Sequence, residues 1–163
     1  MIIDNYISTL PAPLRSLVSV FLVVLSIGYF SGLAFVNSTT ESTSTGIVEN
    51  YNGNEEQEEA VVMKFKKSGH EMLSIIHTHI LSMSIIFFLL GCLVYGTSLP
   101  APFKLFFMIE PLLSVLVTFG GIYLIWLGIE WMSYVVMVSG SLMTVSFIGS
   151  VLAIFHALTI RTQ

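Results

Sequence analysis

The sequence predicts an all-α fold, an integral membrane, antiparallel four-helix bundle. Three observations carry that prediction. Four stretches are long and apolar enough to cross a bilayer as helices, which takes about 20 residues each. Of the 163 residues, 55% are apolar and 10% charged, against about 25% charged in an ordinary soluble domain. The apolar runs do not alternate residue by residue, as barrel strands would. The same composition excludes whole classes of function. Six Lys+Arg cannot build a phosphate-tracking surface, so no nucleic-acid partner is expected. One cysteine, Cys92, excludes a disulfide scaffold and a multi-cysteine zinc site.

The elements follow in order. The first span is 16–36. Its apolar run exceeds the about 7–15 residues of a signal-peptide core and no A-x-A site follows, so a retained helix is expected. Residues 37–69 form a polar extramembrane loop. Its start, NSTTESTSTG, reads as flexible linker. Further on, Glu55, Glu56, Glu58 and Glu59 precede Lys64, Lys66 and Lys67, the charge order that a helix dipole favours. A short surface helix is expected there. The second span, 72–95, has a polar first third; the third is 105–127 and the fourth 132–158. Tyr123, Trp126, Trp131 and Tyr134 gather at the turn between the last two spans, an interfacial aromatic belt on the loop side.

Orientation rests on one residue. Arg15, Lys104 and Arg161 fall on one side, and Lys64, Lys66 and Lys67 on the other, so counting cations does not decide. Arg15 sits beside the first helix and favours both termini cytoplasmic, with the loop outside, in a bacterial inner membrane.

An internal repeat is present. Leu10-Pro11-Ala12-Pro13-Leu14-Arg15 precedes the first span, and Leu99-Pro100-Ala101-Pro102-Phe103-Lys104 the third. Two duplicated helical hairpins account for it. So does shared physics, because proline suits a helix start and a cation suits an interface. Gly28-x-x-x-Gly32 and the Gly120-Gly121 pair permit close backbone approach.

Ionisable groups inside a span are costly and are the first candidates for function. His77 and His79 fall on the second span, and His70 just before it. At about 100° per residue, His70, Ser74, His77, Leu81, Ser84 and Gly91 share one stripe, which is expected to face the bundle interior. His79 points nearly the opposite way, with Met72 and Met83. His70 and His77 are metal-ligand candidates, but about 10 Å apart, so each needs a partner from another helix or subunit. For a haem, the cofactor-binding candidates are His77, His79 and Met137, with His–Met ligation conceivable between the second and fourth spans. On the opposite side of the membrane, Glu110 and His156 are expected at similar depth and form a candidate proton relay. Pro111 leaves the carbonyl of Phe107 without its helical donor. No P-loop, GxGxxG, GxSxG or HExxH motif occurs, and no catalytic residue is assigned; a non-enzymatic role is favoured.

His77-Thr78-His79-Ile80-Leu81 resembles the His-x-His-Leu stretch of haem–copper oxidase catalytic subunits. It is more similar to small four-helix bacterial membrane proteins that carry a His-[Ala/Thr]-His-[Ile/Leu] helix. The oxidases' copper-ligating histidines have no counterpart here, so dioxygen reduction is not implied. The resemblance implies a small membrane-bound haem-binding or redox-accessory subunit with haem b as cofactor. Two other functions fit the residues: a non-enzymatic scaffold or assembly subunit of a larger membrane complex, and a component of a proton- or metal-coupled transporter. The partners expected are the lipid bilayer and either further copies of the chain, as a homo-oligomer, or a larger membrane complex.

Overall fold

The computed structural model describes residues 6–55 and 62–160. A 3-10 turn at Tyr6–Thr9 is followed by α1 (Ala12–Thr40), α2 (Ser44–Asn52), α3 (Gly69–Tyr95), α4 (Ala101–Trp126) and α5 (Met132–Thr159). There is no strand among the described residues. The helices α1, α3, α4 and α5 are each long and apolar enough to span a membrane. In lipid a segment must satisfy its own backbone groups, and these four do so as continuous helices. The protein is an all-helical integral membrane bundle.

Both Pro-Ala-Pro motifs start a helix in the same way. Pro11 (φ −62°, ψ 151°) and Pro100 (φ −57°, ψ 144°) are extended and accept the first helical bonds. Those bonds come from Arg15 N and Lys104 N, each 3.1 Å. Proline fits there because the first helical N–H groups lack intrahelical partners anyway. Both starts lie on one side of the membrane, here called the proline side; α2 lies on the other, the loop side.

The core is built around α4, which packs against α3 and α5. Phe87, Leu90, Val115, Ile125, Phe147 and Ile154 are almost completely buried between these helices. By contrast, α1 is peripheral. Leu22 is its one fully buried apolar residue, and Leu17, Val20, Val24 and Ile27 are more than 60% exposed. It is attached to α5 at two levels. Tyr29 stacks on Phe147 with ring centroids 3.9 Å apart, and the Arg15 guanidinium donates to the Leu158 carbonyl. A cation at the last turn of α5 also suits its helix dipole.

The loop differs from the expectation in two ways. Most of NSTTESTSTG is helix. The hydroxyls of Thr39 and Thr40 donate to Phe35 O and Val36 O and extend α1 beyond the apolar run. The chain then reverses through Glu41 and Ser42, both at φ 53°, and Thr43 caps α2 by accepting from Gly46 N at 3.0 Å. The helix in the loop is therefore α2, upstream of the glutamate–lysine run. Glu56, Glu58 and Glu59 lie outside the described residues, and residues 53–55 and 62–68 are not helical.

Nor is this segment a free solvated loop. Asn54 holds it folded: its backbone N–H donates to Lys64 O, and its side chain accepts from Lys64 N at 2.7 Å and donates to Val62 O at 3.0 Å. The fold is then fastened onto α4. Asn52 Nδ2 donates to Ile125 O at 2.7 Å, and Trp126 Nε1 donates to Lys67 O at 2.8 Å. Lys66 Nζ sits 5.5 Å from the Trp126 ring centroid. Trp126, one of the residues of the expected aromatic belt, thus anchors the cap.

Gly46 decides whether the cap closes. A Cβ there would lie 2.0 Å from Thr40 O, a backbone atom that cannot step aside, whereas Gly120 has nothing within 4 Å. Gly46→Ala should cost about 1–3 kcal/mol, the usual range for overpacking, and lower the unfolding midpoint in detergent. Gly120→Ala, by the same measurement, should be neutral or slightly stabilising.

Candidate functional site: a polar seam in the membrane

Antiparallel packing sets α4 against α5 in a defined register. The Phe107 ring lies over Gly149, where a Cβ would come within 2.5 Å, and Val136 closes on Gly121 in the same way at 2.7 Å. Between these close approaches runs a line of hydroxyls. Thr118 and Ser139 share a hydrogen bond of 2.7 Å, and both are buried. One turn on, Ser114 donates to Glu110 Oε1 at 2.5 Å. From the facing helix, Ser146 donates to Glu110 Oε2. Ser150, one turn further along α5, is 1% exposed, and its hydroxyl makes no hydrogen bond. The seam from Ser139 to Ser150 covers about 16 Å of α5.

Glu110 is the centre of this seam. It lies about 13 Å along α4 from Ala101, well inside the hydrocarbon. Tyr29 of α1 lies within electrostatic reach of its carboxylate. The Tyr29 hydroxyl bonds Thr144 at 3.1 Å; Thr144 gives its own proton to Gly140 O, so Tyr29 is the donor of that pair. An open groove of about 490 Å³ runs beside the seam, lined by Glu110, Ser114, Val117, Tyr134, Val138 and Ser139.

The structure does not bring His156 to Glu110. His156 is exposed and lies ten residues beyond Ser146, about 15 Å nearer the proline side. The residues that do reach Glu110 are serines. Ser114 lies one turn from Glu110 on α4, but nothing in the sequence sets Ser146 apart from the other serines of α5.

The histidines of α3 occupy another surface. Of the stripe His70, Ser74, His77, Leu81, Ser84 and Gly91, expected inside, the first four are exposed, Ser84 is half-buried and only Gly91 is buried, against Met108. The buried face carries Met72, Phe87, Leu90 and Val94, because these large apolar side chains fill the space against α4. His77 therefore points away from the bundle while Met137 packs against the core, and the bundle does not bring the two together. His79 lies at the border with α4. Its ring stacks on Phe119 at 4.9 Å between centroids, and its Nδ1 is 2.8 Å from Ile75 O. That distance assigns the proton to Nδ1 and leaves Nε2 as an acceptor directed away from its own helix. Among the described residues no three His, Cys, Asp or Glu side chains gather as a metal cage.

Residues 41–163 match the model of a family described as a transmembrane helical domain. No curated protein and no solved structure matches the chain. The matched region contains the cap and the three closely packed helices, and leaves out nearly all of α1.

Ser146 is the donor that ties Glu110 to the neighbouring helix. Ser146→Ala leaves one carboxylate oxygen short of its donor and should destabilise the bundle by about 1–2 kcal/mol. Ser141→Ala is the control, since Ser141 is exposed and donates only to Met137 O in its own helix. Equilibrium unfolding of both variants in the same detergent checks the difference.

Proposed function

The chain belongs to this transmembrane helical domain family, and from that premise we propose that it is a proton-handling membrane subunit with Glu110 as the group that binds and releases the proton. One observation carries the reading: a carboxylate inside the bilayer held by hydroxyl donors from two helices, within a hydroxyl seam that extends both ways from it. Hydroxyls suit this task because each both donates and accepts, so a proton can enter one side of a serine or threonine and leave by the other. Thr118 and Ser139 serve as the entry from the loop side. Ser146 and Ser150 lead towards the proline side, where His156 accepts or supplies the proton at the aqueous edge. In this reading the cap faces outwards from a bacterial inner membrane and the proline side, with Arg15 and Lys104, is cytoplasmic.

The test is proton movement in vesicles containing the purified chain and a trapped pH indicator. An imposed pH difference should collapse faster with the wild-type protein than in empty vesicles. Glu110→Gln should return the rate to that of empty vesicles, and Glu110→Asp should retain part of it. A rate unchanged in Glu110→Gln rejects the assignment.

A second reading is favoured by His79. Ring ligands of metals commonly donate their other N–H to a carbonyl, which orients the ring and frees the ligating nitrogen. His79 has this arrangement through Ile75 O, and its ring is held in place against Phe119. Haem b would then bind at the α3–α4 border through His79, with its second axial ligand from another subunit or molecule. Protein purified from haem-replete cells should show a Soret band that is lost in His79→Ala and kept in His156→Ala. Colourless wild-type protein rejects this reading and leaves the first untouched.

A further inference from the structure

The outer face of α3 combines two properties that do not belong together on a lipid-facing surface. His70, Ser74, His77, Leu81, Ile85, Phe88 and Cys92 lie along it, spaced three or four residues apart, and all are exposed. The direction of this stripe is opposite to Met72, Phe87 and Leu90, which are buried in the bundle. Its half nearer the proline side, Leu81, Ile85 and Phe88, is apolar and would be content in lipid. Its other half is not. His77 lies about 12 Å into α3, inside the hydrocarbon, where water is absent. Among the described residues the side chains of Ser74 and His77 make no hydrogen bond. Hydroxyls on α1 behave differently: half-buried Ser19 and Ser26 and exposed Ser31 each donate to a carbonyl of their own helix. Polar groups left open within a bilayer are satisfied by protein, because lipid tails offer neither donor nor acceptor.

We propose that this face of α3 is the interface with a second copy of the chain, related by a two-fold axis along the membrane normal, with His77 facing His77 of the partner subunit. The occupant follows from hydrogen-bond complementarity. A neutral imidazole carries one donor and one acceptor, and a serine hydroxyl carries both. Each is therefore its own complement across a two-fold axis, so an identical stripe satisfies His77 and Ser74 without any further chemistry. Both copies keep the same orientation in the membrane, and Leu81, Ile85 and Phe88 continue the contact towards the proline side. The proposal stands on this stripe alone and needs neither the proton reading nor a haem at His79, which points nearly the opposite way.

The single cysteine is a built-in probe, since Cys92 is exposed on the same stripe. Full-length protein in native membranes, oxidised with copper phenanthroline, should give a dimer band on a non-reducing gel that disappears on reduction. With Cys92→Ser as background, Ser74→Cys and Leu81→Cys should cross-link as well, while Val24→Cys and Ile27→Cys on α1, beside the rival Gly28-x-x-x-Gly32 motif, should remain monomeric. His77→Leu, an exposed change that leaves the bundle core intact, should weaken the dimer by roughly three- to twentyfold, the range that one interhelical hydrogen bond supplies in a membrane. Cross-linking through α1 instead of α3 overturns the proposal. So do stripe cysteines that stay monomeric or join only to a different protein, and so does a dimer indifferent to His77→Leu.

Discussion

The clasp of Glu110 between Ser114 and Ser146 constrains the rest of the bundle. A carboxyl group in hydrocarbon must have donors, and one helix cannot supply enough of them while its own backbone is engaged. The second donor comes from α5, and that fixes both the rotation and the register of α5 against α4. The other contacts of the pair follow from that register: Phe107 over Gly149, Thr118 on Ser139 and Gly121 under Val136. Pro111 sits beside the clasp, fully buried. The helical bond it removes is tolerated because packing on both sides already holds the segment.

Everything peripheral is attached to this pair. The cap reaches it through Asn52 on Ile125, Trp126 on Lys67, and Ser44 on Ser133. Ser133 spends its proton on Glu130 O, so Ser44 donates, and the start of α2 is tied directly to the start of α5. In turn, α1 depends on α5 through Tyr29 and Arg15. The order of dependence agrees with the family match, which begins at residue 41 and takes in the cap and the self-packed helices. The span outside the match, α1, is the least buried of the four.

The sequence is legible where lipid imposes one answer. Four apolar runs became four helices, with ends within a few residues of those expected, since backbone in a bilayer has few alternatives. Glu110 stood out for the same reason. Failures occurred where several residues could do the same job. The carboxylate's cross-helix partner was sought as the nearest ionisable group, His156, but any hydroxyl at the right register suffices, and α5 offers many. On α3 a stripe of small and polar residues looked like interior. The bundle instead selected Met72, Phe87 and Leu90, because close packing against α4 requires volume, and left the polar side outward. The serine- and threonine-rich segment read as linker by composition. Near the membrane edge its hydroxyls donate to carbonyls one turn earlier and prolong the helix, an effect that depends on local competition from water and not on composition.

The low charge of the chain makes side-chain geometry decisive for its polar groups. A hydroxyl has one proton to place, and a carbonyl one turn back in the same helix can take it. Ser19, Ser26 and Ser31 do this on α1, and Ser31 does it while exposed. An imidazole cannot be satisfied in this way, because it carries two nitrogens and at most one reaches its own helix. His79 demonstrates the limit: Nδ1 is bonded to Ile75 O, and Nε2 remains open. A carboxylate is further from self-sufficiency, having two acceptor oxygens and no donor. So the histidines of α3 and Glu110 are among the groups that cannot be satisfied within their own helix. Glu110 finds its answer in α5, inside the chain. His77, exposed on the outside of α3, has no such neighbour among the described residues.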